Sequence, residues 1–67
     1  MIKTICERIV HYRQKYDLTQ EELAANVGLN LNRFIKIEAG SLIPRINELV
    51  QLAVGFNMSI DELVNNE

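Results

Sequence analysis

The chain has 67 residues, a 48% apolar share with only four aromatic rings, and a formal net charge of −2. That length holds one domain, spanning residues 1–67 and lying near the lower limit for an unaided core, which must be built from Leu, Ile and Val. A single cysteine excludes an internal disulfide or a thiolate metal cluster, and no apolar run reaches the roughly 18 residues needed to cross a bilayer. With no signal-peptide layout either, the expected location is the cytoplasm, without a membrane partner.

Residues 1–3 read as a frayed start. Thr4 and Glu7 have the spacing of a capping box, which predicts a first helix of about twelve residues. Ile5, Ile9, Tyr12 and Tyr16 recur at helical spacing and are expected to face the core, the tyrosine hydroxyls staying wet. Cys6 reads as a small apolar residue, buried or half-buried. His11 reads as a surface residue, with no partner at ligand spacing. Asp17 and Leu18 connect to Thr19, with Leu18 expected to be buried.

Residues 19–40 predict two short helices joined by a turn of about three residues. Thr19 is the N-cap of the first, with Glu22 closing a capping box. Leu23, Ala24 and Val27 share its inner face, and Ala24 is small enough to let the two helices approach. Gly28 ends it, because glycine reaches the left-handed conformation at no steric cost. Asn30 caps the second helix, Phe34 and Ile37 point inward, and Gly40 ends it.

A loop over Ser41–Arg45 follows, with Pro44 holding Ile43 extended. Ile46, Leu49, Val50 and Ala53, widened by Leu52, predict the inner face of a fourth helix that ends near Gly55. Phe56 and Met58 are expected core anchors. Ser59 and Glu62 form a third capping-box pattern, opening a short helix with Ile60, Leu63 and Val64 inward. Asn65, Asn66 and Glu67 are expected to fray. No period-2 alternation of useful length occurs, so the fold class is all-α: five compact helices and no sheet.

This pattern resembles the helix-turn-helix domain of the phage repressor and Cro type, also called the xenobiotic-response-element family. Ala24, Gly28, Phe34, Ile37 and the closing Ile37-Glu38-Ala39-Gly40 carry the resemblance, which extends from about Ile5 to Val64. It implies a lambda-repressor-like fold whose second and third helices are the helix-turn-helix, and a double-stranded DNA partner. It also implies that Arg13 forms a bidentate pair with Glu38, tying the first helix to the end of the third. In such a domain the third helix enters the major groove. Its outward positions here are Leu31, Asn32, Ile35 and Lys36. The resemblance maps base reading onto Leu31, Asn32 and Lys36, with Arg33 near the backbone or a base edge. Asn32 suits adenine, Lys36 suits guanine, and Leu31 suits a thymine methyl. Thr19 and Gln20, with the amides beside them, match phosphate-contacting positions, and Ser41 and Arg45 flank the groove.

Charge distribution permits this partner despite the negative total. All seven basic residues lie between Lys3 and Arg45 against five acids, whereas four acids and no Lys or Arg follow from Ile46 onward. No catalytic constellation is present: the acids Glu21 and Glu22 point about 100° apart and suit a helix N-terminus. An enzyme is not expected, and neither a cofactor nor a metal is implied. Leu31, Ile35, Leu42 and Ile43 depart from the family's polar habit. They fit a protein partner, as in an interaction module or an antitoxin. They equally fit DNA at Leu31 and Ile35, with Leu42 and Ile43 in a homodimer seam on a two-fold operator.

Overall fold

The computed structural model describes residues 2–65, so the fraying expected at Asn66 and Glu67 lies outside it. The described residues form five helices and no strand: α1 (Ile2–Tyr16), α2 (Gln20–Val27), α3 (Leu31–Ala39), α4 (Ile46–Gly55) and α5 (Ile60–Val64). α1 packs on α3 and α5, α2 on α3 and α4, and α4 on α5, enclosing a single aliphatic core around Phe34.

α1 begins before Thr4, so the expected Thr4–Glu7 capping box does not form. An N-cap needs extended backbone, and Ile2 and Lys3 are already helical; Thr4 is buried inside the helix instead. Ile5 and Ile9 are buried as expected. Tyr12 stacks on Phe56 with ring centroids 4.3 Å apart, and its hydroxyl donates to the Gly55 carbonyl at 3.4 Å. Tyr16 is exposed rather than core-facing, because the core ends at Tyr12 and Tyr16 leans on that ring from outside.

The four connections share one device. Asp17, Gly28, Gly40 and Asn57 each adopt positive φ, at 54°, 75°, 80° and 55°. At each, the next residue's amide reaches back to a carbonyl of the helix just ended: Leu18 to Arg13, Leu29 to Ala24, Ser41 to Lys36, and Met58 to Ala53. Paired with the bond from the turn residue itself, this satisfies two orphan carbonyls per helix end. The two glycines announced the device in the sequence. Asp17 and Asn57 did not, although short polar side chains reach the left-handed region more readily than other residues.

At the N-termini, Thr19 and Ser59 make full capping boxes with Glu22 and Glu62, and the Asn30 side chain accepts from the Arg33 amide at 3.1 Å. Gly55 serves a different purpose from the turn glycines. A Cβ there would lie 2.5 Å from Val27 Cγ1, so its bareness lets α4 close onto α2.

The inner face of α4 differs from the expected one. Leu49, Leu52 and Ala53 are buried, but Ile46 is 70% and Val50 43% exposed, and Glu48 is buried in their stead. The aliphatics of α4 cover an arc of about 200°, wider than the core can bury, so spacing alone did not choose which edge turns inward. In α5, Leu63 is fully buried and Val64 partly, whereas Ile60, at the first helical position, is exposed.

Candidate nucleic-acid interface

The candidate reading helix, α3, is fastened at both ends. Its last turn carries Glu38, which is buried. Arg13 Nε donates to Glu38 Oε2 at 2.9 Å, and Arg13 Nη2 approaches the same oxygen at 2.9 Å. The pair expected from the resemblance is therefore present, but both nitrogens converge on one oxygen instead of forming a two-oxygen fork. The reason is a third partner: Gln20 Nε2 donates to the other oxygen, Glu38 Oε1. Arg13 Nη1 also donates to the Leu18 carbonyl at 3.2 Å. One guanidinium thus ties the end of α1, the turn before α2 and the end of α3, while Gln20 adds the first residue of α2.

The first turn of α3 is fastened by a pair that the sequence reading missed. Arg33 Nε donates to Glu48 Oε2 at 2.5 Å and Arg33 Nη2 to Glu48 Oε1 at 2.7 Å, a two-oxygen fork. Glu48 Oε1 also accepts from the Arg45 amide at 2.7 Å, so the same carboxylate caps the start of α4. The Arg33 hydrogen bonds, helped by the Arg45 amide and opposed by burial, hold the Glu48 carboxyl down at about 2. The signal available beforehand was Glu48 standing three residues after Arg45, the spacing of a capping acid behind Pro44.

Between these clasps the outer side of α3 is open. Asn32 and Lys36, one turn apart, are exposed on it, with Ile35 between them at 39% exposure. Leu31 does not project fully outward as expected: it is half-buried against the core, and Leu42 is too. The four-aliphatic patch expected on this side therefore reduces to Ile35 and Ile43.

The flanking candidates divide in two. Thr19 is exposed, its hydroxyl accepting from the Glu22 amide at 3.0 Å. Ser41 is exposed beside the end of α3, its hydroxyl donating to the Lys36 carbonyl at 3.2 Å, and Arg45 is exposed at the start of α4. Gln20 and Arg33 are half-buried and engaged by Glu38 and Glu48, so each holds the scaffold as well as standing near the candidate face.

Reactive groups are scarce. The Cys6 thiol donates to the Ile37 carbonyl at 3.2 Å, and burial pushes its pKa up, away from a reactive thiolate. Among the described residues no three His, Cys, Asp or Glu side chains gather closely enough to hold a metal ion, and no helix is long and apolar enough to cross a membrane.

Comparisons with known proteins bear on the family. A helix-turn-helix family model matches residues 9–63. The cryptic phage CTXphi transcriptional repressor RstR of Vibrio cholerae is 36% identical over 59 residues, covering 88% of this chain and 53% of the repressor. An uncharacterized helix-turn-helix transcriptional regulator of Archaeoglobus fulgidus is 38% identical over 56 residues, covering 84% of this chain and 80% of that protein. One from Methanocaldococcus jannaschii is 30% identical, with 84% and 85% covered. The chain spans about half the length of the phage repressor and most of the length of the two archaeal proteins. No solved structure matches it. A matched segment running from α1 through α5, with the two helices and tight turn in place, means that the chain belongs to the Cro and CI type helix-turn-helix family.

Proposed function

We propose that this single domain is a sequence-specific DNA-binding transcriptional regulator, acting as a repressor by occupying DNA that polymerase needs. The observation that carries the reading is α3: a short helix held rigidly by Arg13–Glu38–Gln20 at one end and Arg33–Glu48 at the other, with Asn32 and Lys36 standing open between. A reader of base edges needs this combination, because hydrogen-bond discrimination is lost when the donor wanders. The kinship with a phage transcriptional repressor supports the direction of control.

In this reading α3 enters the major groove. Asn32 bonds adenine, Lys36 bonds guanine, and the outer edge of the half-buried Leu31 meets a thymine methyl. Thr19 and the first amides of α2 meet a phosphate, with Ser41 and Arg45 flanking the groove. Gln20 and Arg33 act chiefly as positioning residues through Glu38 and Glu48. The protein binds as a homodimer on a two-fold operator, in the cytoplasm. The half-burial of Leu31 and Leu42 weakens the rival reading, in which an apolar α3 face seats a protein or toxin.

The test is binding to random-sequence and selected duplex DNA at low and moderate salt. The wild type is expected to bind both at low salt and to prefer the selected duplex, with affinity falling as salt rises. Asn32→Ala combined with Lys36→Ala is expected to abolish the preference. No binding at low salt, or an unchanged preference in the double variant, removes the DNA-reader assignment.

A further inference from the structure

We propose that Glu48 withholds Arg33 from the DNA backbone and thereby sets how strongly the protein prefers its own site over other DNA. The inference rests on the proposed DNA reading. It makes Glu48, a buried acid, a positioning residue that limits sequence-independent binding.

Arg33 follows Asn32 in the first turn of α3, about 100° round the helix from that outward side chain and on the side of α4. Its guanidinium lies at the flank of the candidate face. The Glu48 oxygen that accepts from Arg33 Nη2 also accepts from the amide of Arg45, the proposed flanking contact. A free guanidinium at that place would take a phosphate of any sequence. It is not free. Both oxygens of Glu48 grip it, at 2.5 and 2.7 Å, and the Glu48 side chain is 5% exposed against 26% for Arg33, so the acid lies behind the base. A phosphate that reached Arg33 would also approach the carboxylate, and the pair offers it no net charge.

A pair that served stability alone would not need charge, because apolar residues of similar volume often replace a buried ion pair without loss. The consequence for DNA differs between sites. On a duplex of any sequence, release of Arg33 adds one phosphate contact and costs no readout, since no base is read. On the selected site the same contact is gained, but the turn carrying Asn32 loses a fastening, and readout by hydrogen bonds weakens. Release of Arg33 therefore favours random DNA over the selected site. The exposed cations beside the reading face are Lys36 on α3 and Arg45 at the start of α4, so a third is a large addition.

Salt titrations of binding to random-sequence and selected duplexes, followed by fluorescence anisotropy, test the assignment. The proteins are the wild type, Glu48→Gln, and Glu48→Gln combined with Arg33→Gln, each shown by circular dichroism to be folded at the assay temperature. Glu48→Gln is expected to bind random DNA about ten-fold more tightly at about 50 mM salt, with log affinity falling more steeply against log salt by about 0.9, the mark of one added phosphate contact. Its gain on the selected duplex is expected to be smaller, so that the preference falls about three-fold or more. The double variant removes both charges, and its random-sequence affinity and slope are expected to return to within about two-fold of wild type. An unchanged slope in Glu48→Gln overturns the withholding of Arg33. A steeper slope that persists in the double variant overturns it too, because loss of the acid alone then accounts for the gain. An unchanged preference overturns the role in specificity. The wild type supplies a check that needs no variant: the Arg33 Nε–H proton resonance is expected to hold its position when random DNA is added, and a shift matching that of the Lys36 amide overturns the proposal. If the wild type binds neither duplex at low salt, the DNA reading falls and this inference with it; binding without the change in slope removes the inference alone.

Discussion

Residues 19–40 and α4 are both short, helical and rich in aliphatics, yet they relate to their sequence in opposite ways. In 19–40, polar residues interrupt the aliphatics at every turn, and each residue expected inside is inside: Leu23, Ala24, Val27, Phe34 and Ile37. In α4, six of ten residues are aliphatic and spread over an arc of about 200°, while Asn47, Glu48 and Gln51 share the remaining side. Spacing then admits two inner faces, and the structure takes the one that buries Leu49, Leu52 and Ala53 with Glu48. A helix signals its inner face through the width of its apolar arc, and an arc wider than the core can cover leaves the edge to be chosen by tertiary packing, here by Glu48 and Gln51 reaching Arg33 and the Gly28 carbonyl.

The comparison breaks most visibly on a pair of truncations. Phe34→Ala empties the centre of the core and is expected to cost about 3–5 kcal/mol, enough to leave a domain of this size largely unfolded. Ile46→Ala, at a position of equal apparent merit in the sequence, is expected to change stability by no more than about 0.5 kcal/mol in dilute solution. Urea unfolding of both variants measures the difference. A loss at Ile46 comparable to that at Phe34 would mean that α4 is turned with Ile46 inward.

Much of the architecture was legible because local chemistry and the global fold agree. Thr19 with Glu22, Ser59 with Glu62, Gly28 and Gly40 each sit where they cap a helix, and each does so. Legibility failed where a residue's task depends on something distant in sequence. Glu48 is paired with a residue fifteen positions earlier, and Gln20 with one eighteen positions later. Neither pairing leaves a periodic trace. Thr4 misled because its capping spacing is local, whereas its burial is set by tertiary packing. At the candidate interface, residue types identified which side chains stand outward on α3, Asn32 and Lys36, but not that Leu31 folds back against the core. That depends on how closely α3 sits on its neighbours, a distance that no pattern along the chain records.

The two clasps on α3 sharpen the comparison at a smaller scale. Arg13→Ala leaves Glu38 buried with Gln20 as its remaining side-chain partner, and it also frees the Leu18 carbonyl. A loss of about 1–3 kcal/mol is expected, because an unpaired buried carboxylate is costly even when the pair itself contributed little. Urea unfolding near neutral pH measures it. A loss near zero would show Arg13 to be a surface charge and the fastening of the α3 C-terminus to lie elsewhere.

The other clasp has its own signature in acid. Glu48 titrates at about 2 in the folded chain against an ordinary value of 4.5, because the Arg33 fork and the Arg45 amide favour its charged form. As the pH falls below about 4.5, the unfolded chain takes up the proton first, and the equilibrium is drawn toward unfolding until the folded carboxylate is protonated too, near 2. The stability that Glu48 contributes is therefore fully present above about pH 4.5 and is lost between there and about pH 2. Glu48→Gln keeps a neutral acceptor for Arg33 and removes the titration. It is expected to lie below the wild type near neutral pH and to show a shallower fall through the acid range. Some slope persists, because the Ser59 amide and hydroxyl also hold the Glu62 carboxyl below its usual range. Unfolding free energies taken across that range decide the matter: parallel curves for wild type and variant would mean that Arg33 does not grip Glu48 in solution. In that case Arg33 belongs with the outward side chains of α3, available to DNA, and the first turn of the helix is held by its Asn30 cap and by packing.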